Sequence, residues 1–246
     1  MSRVLSLVYG VASYVVFLGT FLYAIGFVGN RLVPKSIDSG TPSPLVPGLL
    51  VDTALLLLFA VQHSVMARPW FKRWWTRFVP ASIERSTFVL FASLVLILLY
   101  WQWRPLPYVL WSLDGPAAVV MEILFWIGWG LVLLSTFMIS HFHLFGLTQV
   151  HHHFRGKKAA EPEFKVAGFY RMVRHPIMAG FLIAFWSTPR MTAGHLLFAA
   201  ATTGYILVAL QFEEHDLVKM FGEKYRQYRR EVRMLIPIPR RQGESV

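Results

Sequence analysis

Cysteine is absent from the chain, and charged residues fill only 15% of its 246 positions. The first absence excludes disulfide scaffolds, CxxC redox chemistry, thiolate–zinc centres and a cysteine nucleophile. The second falls well short of the roughly 25% typical of a soluble domain. With 55% hydrophobic and 15% aromatic residues and a mean hydropathy of +0.49, the composition indicates an all-α, polytopic membrane bundle. Disordered and collagen-like classes are excluded, and neither an internal repeat nor a low-complexity tract is evident. The charge that is present is mostly of one sign, 24 Lys and Arg against 13 Asp and Glu, formally +11. In a soluble chain that balance would suggest nucleic acid. Here the basic residues border apolar runs, so membrane topology accounts for them and no nucleic-acid partner is expected.

A bilayer core of about 30 Å needs roughly 20 apolar residues of helix. Val4–Val28 meets that requirement, and Ile25-Gly26-Phe27-Val28-Gly29 carries no A-x-A cleavage signal, so a retained anchor is expected rather than a signal peptide. A loop with four prolines follows from Pro34 to Pro47. Further spans are expected at Gly48–Met66, Thr87–Trp103 and Pro116–Ile139. Two shorter stretches, Ile177–Trp186 and Ala193–Phe212, are split by Ser187-Thr188-Pro189-Arg190 and read as a helical hairpin whose first arm crosses only in part. This gives five to six hydrophobic helices in one domain, 1–246, with four spans over 4–139 and the hairpin and tail over 168–237. Of the 24 basic residues, 20 lie at Arg3, in the loops Arg68–Arg85 and His151–Arg174, and in the tail after Glu213. The positive-inside rule therefore puts both termini and both large loops in the cytoplasm, in a multi-pass membrane protein.

The tail is amphipathic. Leu217, Phe221, Tyr225 and Tyr228 recur at helical steps between Lys219, Lys224, Arg226 and Arg230, so a helix lying on the cytoplasmic face is expected, ending at Pro237. Trp101 and Trp103 read as an outer aromatic belt. Asp52 and Glu122 lie inside spans, near their outer ends, and read as structural. Polar residues concentrate at the cytoplasmic helix ends: Gln62-His63-Ser64, Glu84-Arg85-Ser86 and His141-Phe142-His143. Arg174-His175-Pro176 lies on the same side, and Pro176 should hold His175 out of helical geometry while starting a helix. Glu213-Glu214 are two adjacent carboxylates at a membrane face, which call either for a cationic or hydroxyl-bearing ligand or for pairing with Arg171 or Arg174.

Five ordered elements carry a resemblance. Gly168-Phe169-Tyr170-Arg171-Met172-Val173-Arg174-His175-Pro176, an apolar hairpin, Glu213-Glu214-His215-Asp216-Leu217, Phe221-Gly222-Glu223-Lys224-Tyr225-Arg226-Gln227-Tyr228 and a closing Pro237 resemble the signature of the isoprenylcysteine carboxyl methyltransferase and phospholipid methyltransferase superfamily. Ile177-Met178 departs from it, since many members place a tyrosine after the proline. Gly128-Trp129-Gly130 is similar to a glycine pair of the phospholipid enzymes, although helix packing explains it as well. Gln62-His63-Ser64-Val65-Met66-Ala67-Arg68, the aromatic-basic loop Trp70–Trp75, Glu84-Arg85-Ser86-Thr87, Trp101–Leu106 and His143-Leu144-Phe145-Gly146-Leu147 extend the likeness over almost the whole chain, to bacterial methanethiol S-methyltransferases and to NnrU-like membrane proteins.

The resemblance implies S-adenosylmethionine as cofactor, with S-adenosylhomocysteine as product. Tyr170, Arg174, His175, Pro176, Glu213 and Glu214 would form its binding site. It implies in-line methyl transfer to a small volatile thiol, methanethiol giving dimethyl sulfide, with the lipid bilayer as surroundings and no obligate protein partner. Because a thiol is largely protonated at neutral pH, His63 or His143 would act as base and Arg85 would stabilise the thiolate. Ser64 and Glu84 would line the acceptor pocket. The alternatives are another thiol, an isoprenylcysteine or a lipid as acceptor, or a non-enzymatic membrane helper. A different class, a histidine-metal oxidoreductase, would draw on His141-x-His143 and His151-His152-His153, but repeated H-x-x-H-H boxes are missing and the triple histidine reads as solvated loop. No metal is expected.

Overall fold

The computed structural model describes residues 2–157 and 164–237, so part of the basic loop after His151 and the end of the tail lie outside the described residues. The elements in chain order are α1 (Arg3–Val28), α2 (Leu45–Ala67), α3 (Pro69–Trp75), α4 (Glu84–Gln102), β1 (Val109–Ser112), α5 (Gly115–Ile139), α6 (His141–Leu144), α7 (Leu147–Phe154), a 3-10 helix (Gly168–Arg171), α8 (Pro176–Trp186), β2 (Arg190–Thr192), α9 (Ala193–Phe221) and α10 (Glu223–Glu231). Among the described residues β1 and β2 pair as the one small ribbon. Five helices (α1, α2, α4, α5 and α9) are long and apolar enough to cross a bilayer, and the chain is a multi-pass, all-α membrane protein. At 1.5 Å per residue, the 11 residues of α8 reach about half the hydrocarbon thickness, so this arm of the hairpin is too short to cross. Contacts divide the chain into two compact units, described separately: residues 2–111, 140–157 and 191–198, and residues 112–139, 164–190 and 199–237.

In the first unit α1 packs against α4 and α7, and α2 against α4. The buried face of α1 is a stripe of small residues, Ser6, Gly10, Ser13 and Thr20. Its hydroxyls donate to carbonyls one turn back, Ser13 to Tyr9 at 2.8 Å and Thr20 to Val16 at 2.8 Å, which leaves no donor unsatisfied in an apolar surrounding. Val8, Val15 and Leu22, also seven apart, are exposed, as lipid-facing residues should be. The segment Trp70–Trp75 is a helix rather than a loop. Proline at its first turn starts α3, and Phe71 turns inward onto the cluster of Met66, Phe88 and Val89. Trp103 departs from the belt reading: it is fully buried against Phe27 and Phe198 and donates from Nε1 to the Ile37 carbonyl at 3.1 Å. Trp101 is exposed. Asp52 is buried and accepts the Arg104 backbone N–H at 2.8 Å, a structural role.

In the second unit α5 and α8 meet backbone to backbone. A Cβ on Gly128 would lie 2.6 Å from the Ala184 nitrogen, and one on Gly180 would lie 2.7 Å from the Gly128 carbonyl oxygen. Gly130, two residues on, has nothing within 4 Å of its Cβ position, so only the first glycine of the pair serves packing. The Trp186 indole closes the hairpin by donating to Thr203 Oγ1 at 2.9 Å. Helix α9 runs through Glu213-Glu214 to Phe221. Gly222, at φ +59, then breaks the axis before α10, so the tail is one long helix and one short amphipathic helix. Pro237 is not what ends α10. Val232 is already extended, and Val173 pairs with Arg233 in a parallel bridge.

The close glycine contact makes a sharp prediction. Gly128→Ala should lower the thermal midpoint of the detergent-solubilised protein by an amount equivalent to roughly 1–3 kcal/mol, as overpacking does. Gly130→Ala should stay within about 0.5 kcal/mol of the parent. Equal shifts in both variants would contradict the packing assignment.

Candidate active site

The second unit holds all six residues expected to bind the cofactor. Gly168, at φ +51 and pressed against Met138 Sδ, starts the 3-10 helix. His175 is non-helical at φ −128, ψ 66, because Pro176 follows it as the first residue of α8. The backbone N–H groups of Arg174 and His175 donate to the carbonyls of Arg233 and Met234 at 2.8 and 3.1 Å, which ties the turn to the chain after α10. Tyr228 donates its hydroxyl to the Tyr170 carbonyl.

Within this frame Glu214 is enclosed by two arginines and a histidine. Its Oε1 accepts from Arg174 Nε at 2.6 Å and lies 3.2 Å from His175 Nε2, while Oε2 lies 3.2 Å from Arg229 Nε. Arg174, His175 and Glu214 are all buried, and Arg174 also donates to the Arg229 and Val232 carbonyls. Of the two arginines proposed from sequence as pairing partners, Arg174 is the one used. Arg229 was missed because its approach depends on the break at Gly222. Glu213 differs sharply from its neighbour. Its carboxylate is 47% exposed, with His175 Nδ1 at 3.9 Å. Tyr225 is buried beside these groups, and its hydroxyl has no hydrogen-bond partner among the described residues. Burial, and then the nearby Glu214 carboxylate, push this phenol above its ordinary value, so it remains a donor. A shallow cleft of about 440 Å³ opens alongside, between Phe164, Arg171, Lys224 and Tyr228.

The first unit holds the other five predicted residues. The His63 ring lies 4.8 Å from the Phe88 ring and stacks on Phe59 at 5.2 Å. Arg85 lies over the same Phe88 ring at 5.0 Å and donates from Nε to the Leu144 carbonyl at 2.7 Å, next in chain to His143. These contacts bring the ends of α2 and α4 together with α6. Glu84 and Ser64 are half-buried at the same helix ends, and the Ser64 carbonyl accepts from Arg68. His141 and His143 do not end the fourth span. Helix α5 stops at Ile139, and α6 forms a separate turn, with His141 Nε2 paired to the Tyr14 hydroxyl at 2.8 Å. Desolvation, reinforced by Arg85 and His152, lowers the His143 pKa, so its ring is neutral at neutral pH. The triple histidine lies on α7, not in a loop, with His151 exposed and its two neighbours half-buried. Among the described residues no group of three His, Asp or Glu side chains is disposed to hold a metal ion.

The enclosure of Glu214 has a measurable consequence. Glu214→Ala leaves Arg174 buried without its carboxylate and should cost roughly 3–5 kcal/mol of stability, read as a fall in the thermal midpoint. Glu213→Ala, at an exposed position, should change stability by no more than about 0.5 kcal/mol.

No family model matches the chain, and no solved structure matches it. Curated relatives do. It is 60% identical to a protein of Mycobacterium tuberculosis named Methanethiol S-methyltransferase, over 98% of this chain and 99% of that one. It is 55% identical to Methanethiol S-methyltransferase 2 of Bradyrhizobium diazoefficiens, over 96% and 91% of the two chains. A more distant relative, Nurim of Bos taurus, is 31% identical over 84% and 87%. With identity this high from end to end and the motif residues gathered in each unit, the chain belongs to the methanethiol S-methyltransferase family of membrane methyltransferases.

Proposed function

We propose that this enzyme methylates methanethiol to dimethyl sulfide with S-adenosylmethionine as the donor. It would do so as one domain of the bacterial cytoplasmic membrane, with both termini and the chemistry on the cytoplasmic side. The observation that carries the reading is the end-to-end correspondence with proteins named for this reaction. The concentration of 20 of the 24 basic residues at one side of the spans supports the orientation. When bound, S-adenosylmethionine supplies an electrophilic methyl group on a sulfonium.

Roles divide by unit. In the second unit, the half-exposed Glu213 carboxylate and the unpartnered Tyr225 hydroxyl fit the ammonium and hydroxyl groups of the donor. Arg174, His175 and Glu214 act mainly by holding that turn rigid, since their charges are already satisfied by one another. Tyr170 and Pro176 set its backbone. In the first unit, the neutral ring of His143 accepts the thiol proton, with His63 as the second candidate. Arg85 supplies a fixed positive charge to the thiolate, and Ser64 and Glu84 shape the acceptor end. Holding acceptor and donor in register is the largest contribution open to such an enzyme, up to roughly 7–11 kcal/mol of barrier. A bilayer setting suits an acceptor and product that are small, apolar and volatile.

Membranes containing the protein, given methanethiol and S-adenosylmethionine, should release dimethyl sulfide into the headspace only when both are present. Glu213→Ala should raise the KM for the donor by about tenfold or more with little change in KM for the thiol, as loss of a charged hydrogen bond would. No product from a preparation that binds S-adenosylmethionine would discard methanethiol and leave another thiol or a lipid as acceptor.

The lowered pKa of His143 sets a pH profile. A base whose value lies below about 6.5 is still unprotonated at that pH, so kcat/KM should hold as pH falls through 6.5 and decline only further down. His143→Ala should remove that acid limb. The stability sign agrees: below pH 6.5 the unfolded chain takes up a proton here that the folded chain resists, so stability falls with pH in that window.

A further inference from the structure

The triple histidine is the one motif singled out in the sequence that the methyl-transfer reading leaves unused, and its surroundings in the first unit are unusual. Gly146, at φ +89, reverses the chain between α6 and α7. It sits so close to α4 that a Cβ would lie 2.8 Å from the Ser86 nitrogen. Helix α7 is then clamped on its other side by α1, where Val150, fully buried, fills the space over Gly10. Gln149 and His152 are three residues apart and share a face of α7. That face is turned toward His143, because Gln149 Nε2 donates to the His143 carbonyl at 3.1 Å.

Two polar atoms on this face, Gln149 Oε1 and His152 Nδ1, are buried and make no hydrogen bond among the described residues, and Ser86 Oγ beside Gly146 and Gln62 Oε1 on α2 share that condition. Each such atom costs roughly 1–3 kcal/mol if nothing satisfies it. The two on α7 lie on the face turned toward His143, where buried unsatisfied atoms suit a water or a passing proton better than apolar packing. The charged and titratable groups at this end of the packed elements are Glu84 and Arg85 on α4, His63 on α2, His141 and His143 on α6, and Arg3, Tyr9 and Tyr14 on α1. The Tyr9 hydroxyl is occupied by Thr87 at 3.1 Å, and the charge of His152 is felt at His143.

We infer that His152 is a proton-relay residue acting through His143: it takes over at Nδ1 the proton that His143 removes from the acceptor thiol and releases one from Nε2 to solvent. Gln149 holds His143 in register for that transfer. The inference rests on the proposed thiol methylation. For each thioether made, one S–H bond is broken and one proton leaves. Each histidine gains and loses one proton, and no oxidant or reductant is needed. His151, exposed on the same short helix, marks the solvent side of α7.

The test compares two acceptors on the full-length enzyme in membranes: methanethiol, and 2,2,2-trifluoroethanethiol, whose electron-poor sulfur is more acidic and needs less help to ionise. In His152→Ala the ratio of the methanethiol rate to the fluorinated-thiol rate should fall about tenfold or more relative to wild type, the lower range of general-base effects. Added imidazole should recover part of the methanethiol rate. His152→Asn, which keeps a polar side chain of similar reach but cannot pass a proton on, should show the same fall. A ratio independent of how much enzyme survives makes a folding defect visible as an equal loss on both thiols. Equal loss without imidazole rescue, or no loss at all, overturns the relay while leaving the methylation reading intact. Wild type that makes no dimethyl sulfide overturns both.

Discussion

Hydrocarbon offers no hydrogen bonds, and that constraint organises everything else in this chain. Each span must satisfy its own backbone, and its hydroxyls and charges gain most from partners inside the protein. The consequences are visible residue by residue. The serine and threonine of α1 donate to carbonyls of their own helix. Asp52 spends one oxygen on the Arg104 N–H, and Trp103, which could have snorkelled, instead buries its ring and gives its N–H to Ile37. Association between helices in lipid gains little from apolar burial alone and depends on close approach. This explains why Gly128 and Gly180 are placed where the backbones of α5 and α8 touch.

The same constraint makes Glu214 the pivot of the second unit. A carboxylate near the end of a membrane helix is tolerated only when it is paired and hydrogen-bonded, and here it meets two arginines and a histidine. Glu214 on α9 thereby joins two other places in the chain, the turn before α8 and α10. Their mutual satisfaction fixes where His175, Tyr170 and Tyr225 stand. The two adjacent carboxylates therefore differ in setting: Glu214 is buried among its partners, and Glu213 is half-exposed. In the first unit the design is different. Arg85 donates to the Leu144 carbonyl and lies over the Phe88 ring, and its charge lowers the proton affinity of His143.

Much of this could be read without coordinates. Runs of about twenty apolar residues have only one use, so the first four spanning helices are legible to within about three residues of their ends, whereas α9 continues nine residues past the expected Phe212 to Phe221. Proline after His175 fixed the local backbone there, since the clash it imposes is purely local. The ordered motifs from Gly168 to Tyr228 and the shorter ones near His63, Arg85 and His143 singled out the polar residues that the fold gathers inside each unit. These features depend on composition, on covalent geometry or on short stretches of chain, all of which are visible in one dimension.

Tertiary structure decided what depends on neighbours distant in sequence. It buried Trp103 and exposed Trp101, because only the fold places Ile37, Phe27 and Phe198 around the former. It made helices of Trp70–Trp75 and of the triple histidine, since Phe71 and Val150 have cores to fill that no local propensity announces. It ended α10 with a parallel bridge to Val173 before Pro237 could act. And it separated Glu213 from Glu214 in role, although the two are identical in chemistry and adjacent in sequence. On a helix, successive residues point about 100° apart, so only packing against Arg174, His175 and Arg229 determined which of the two would be enclosed.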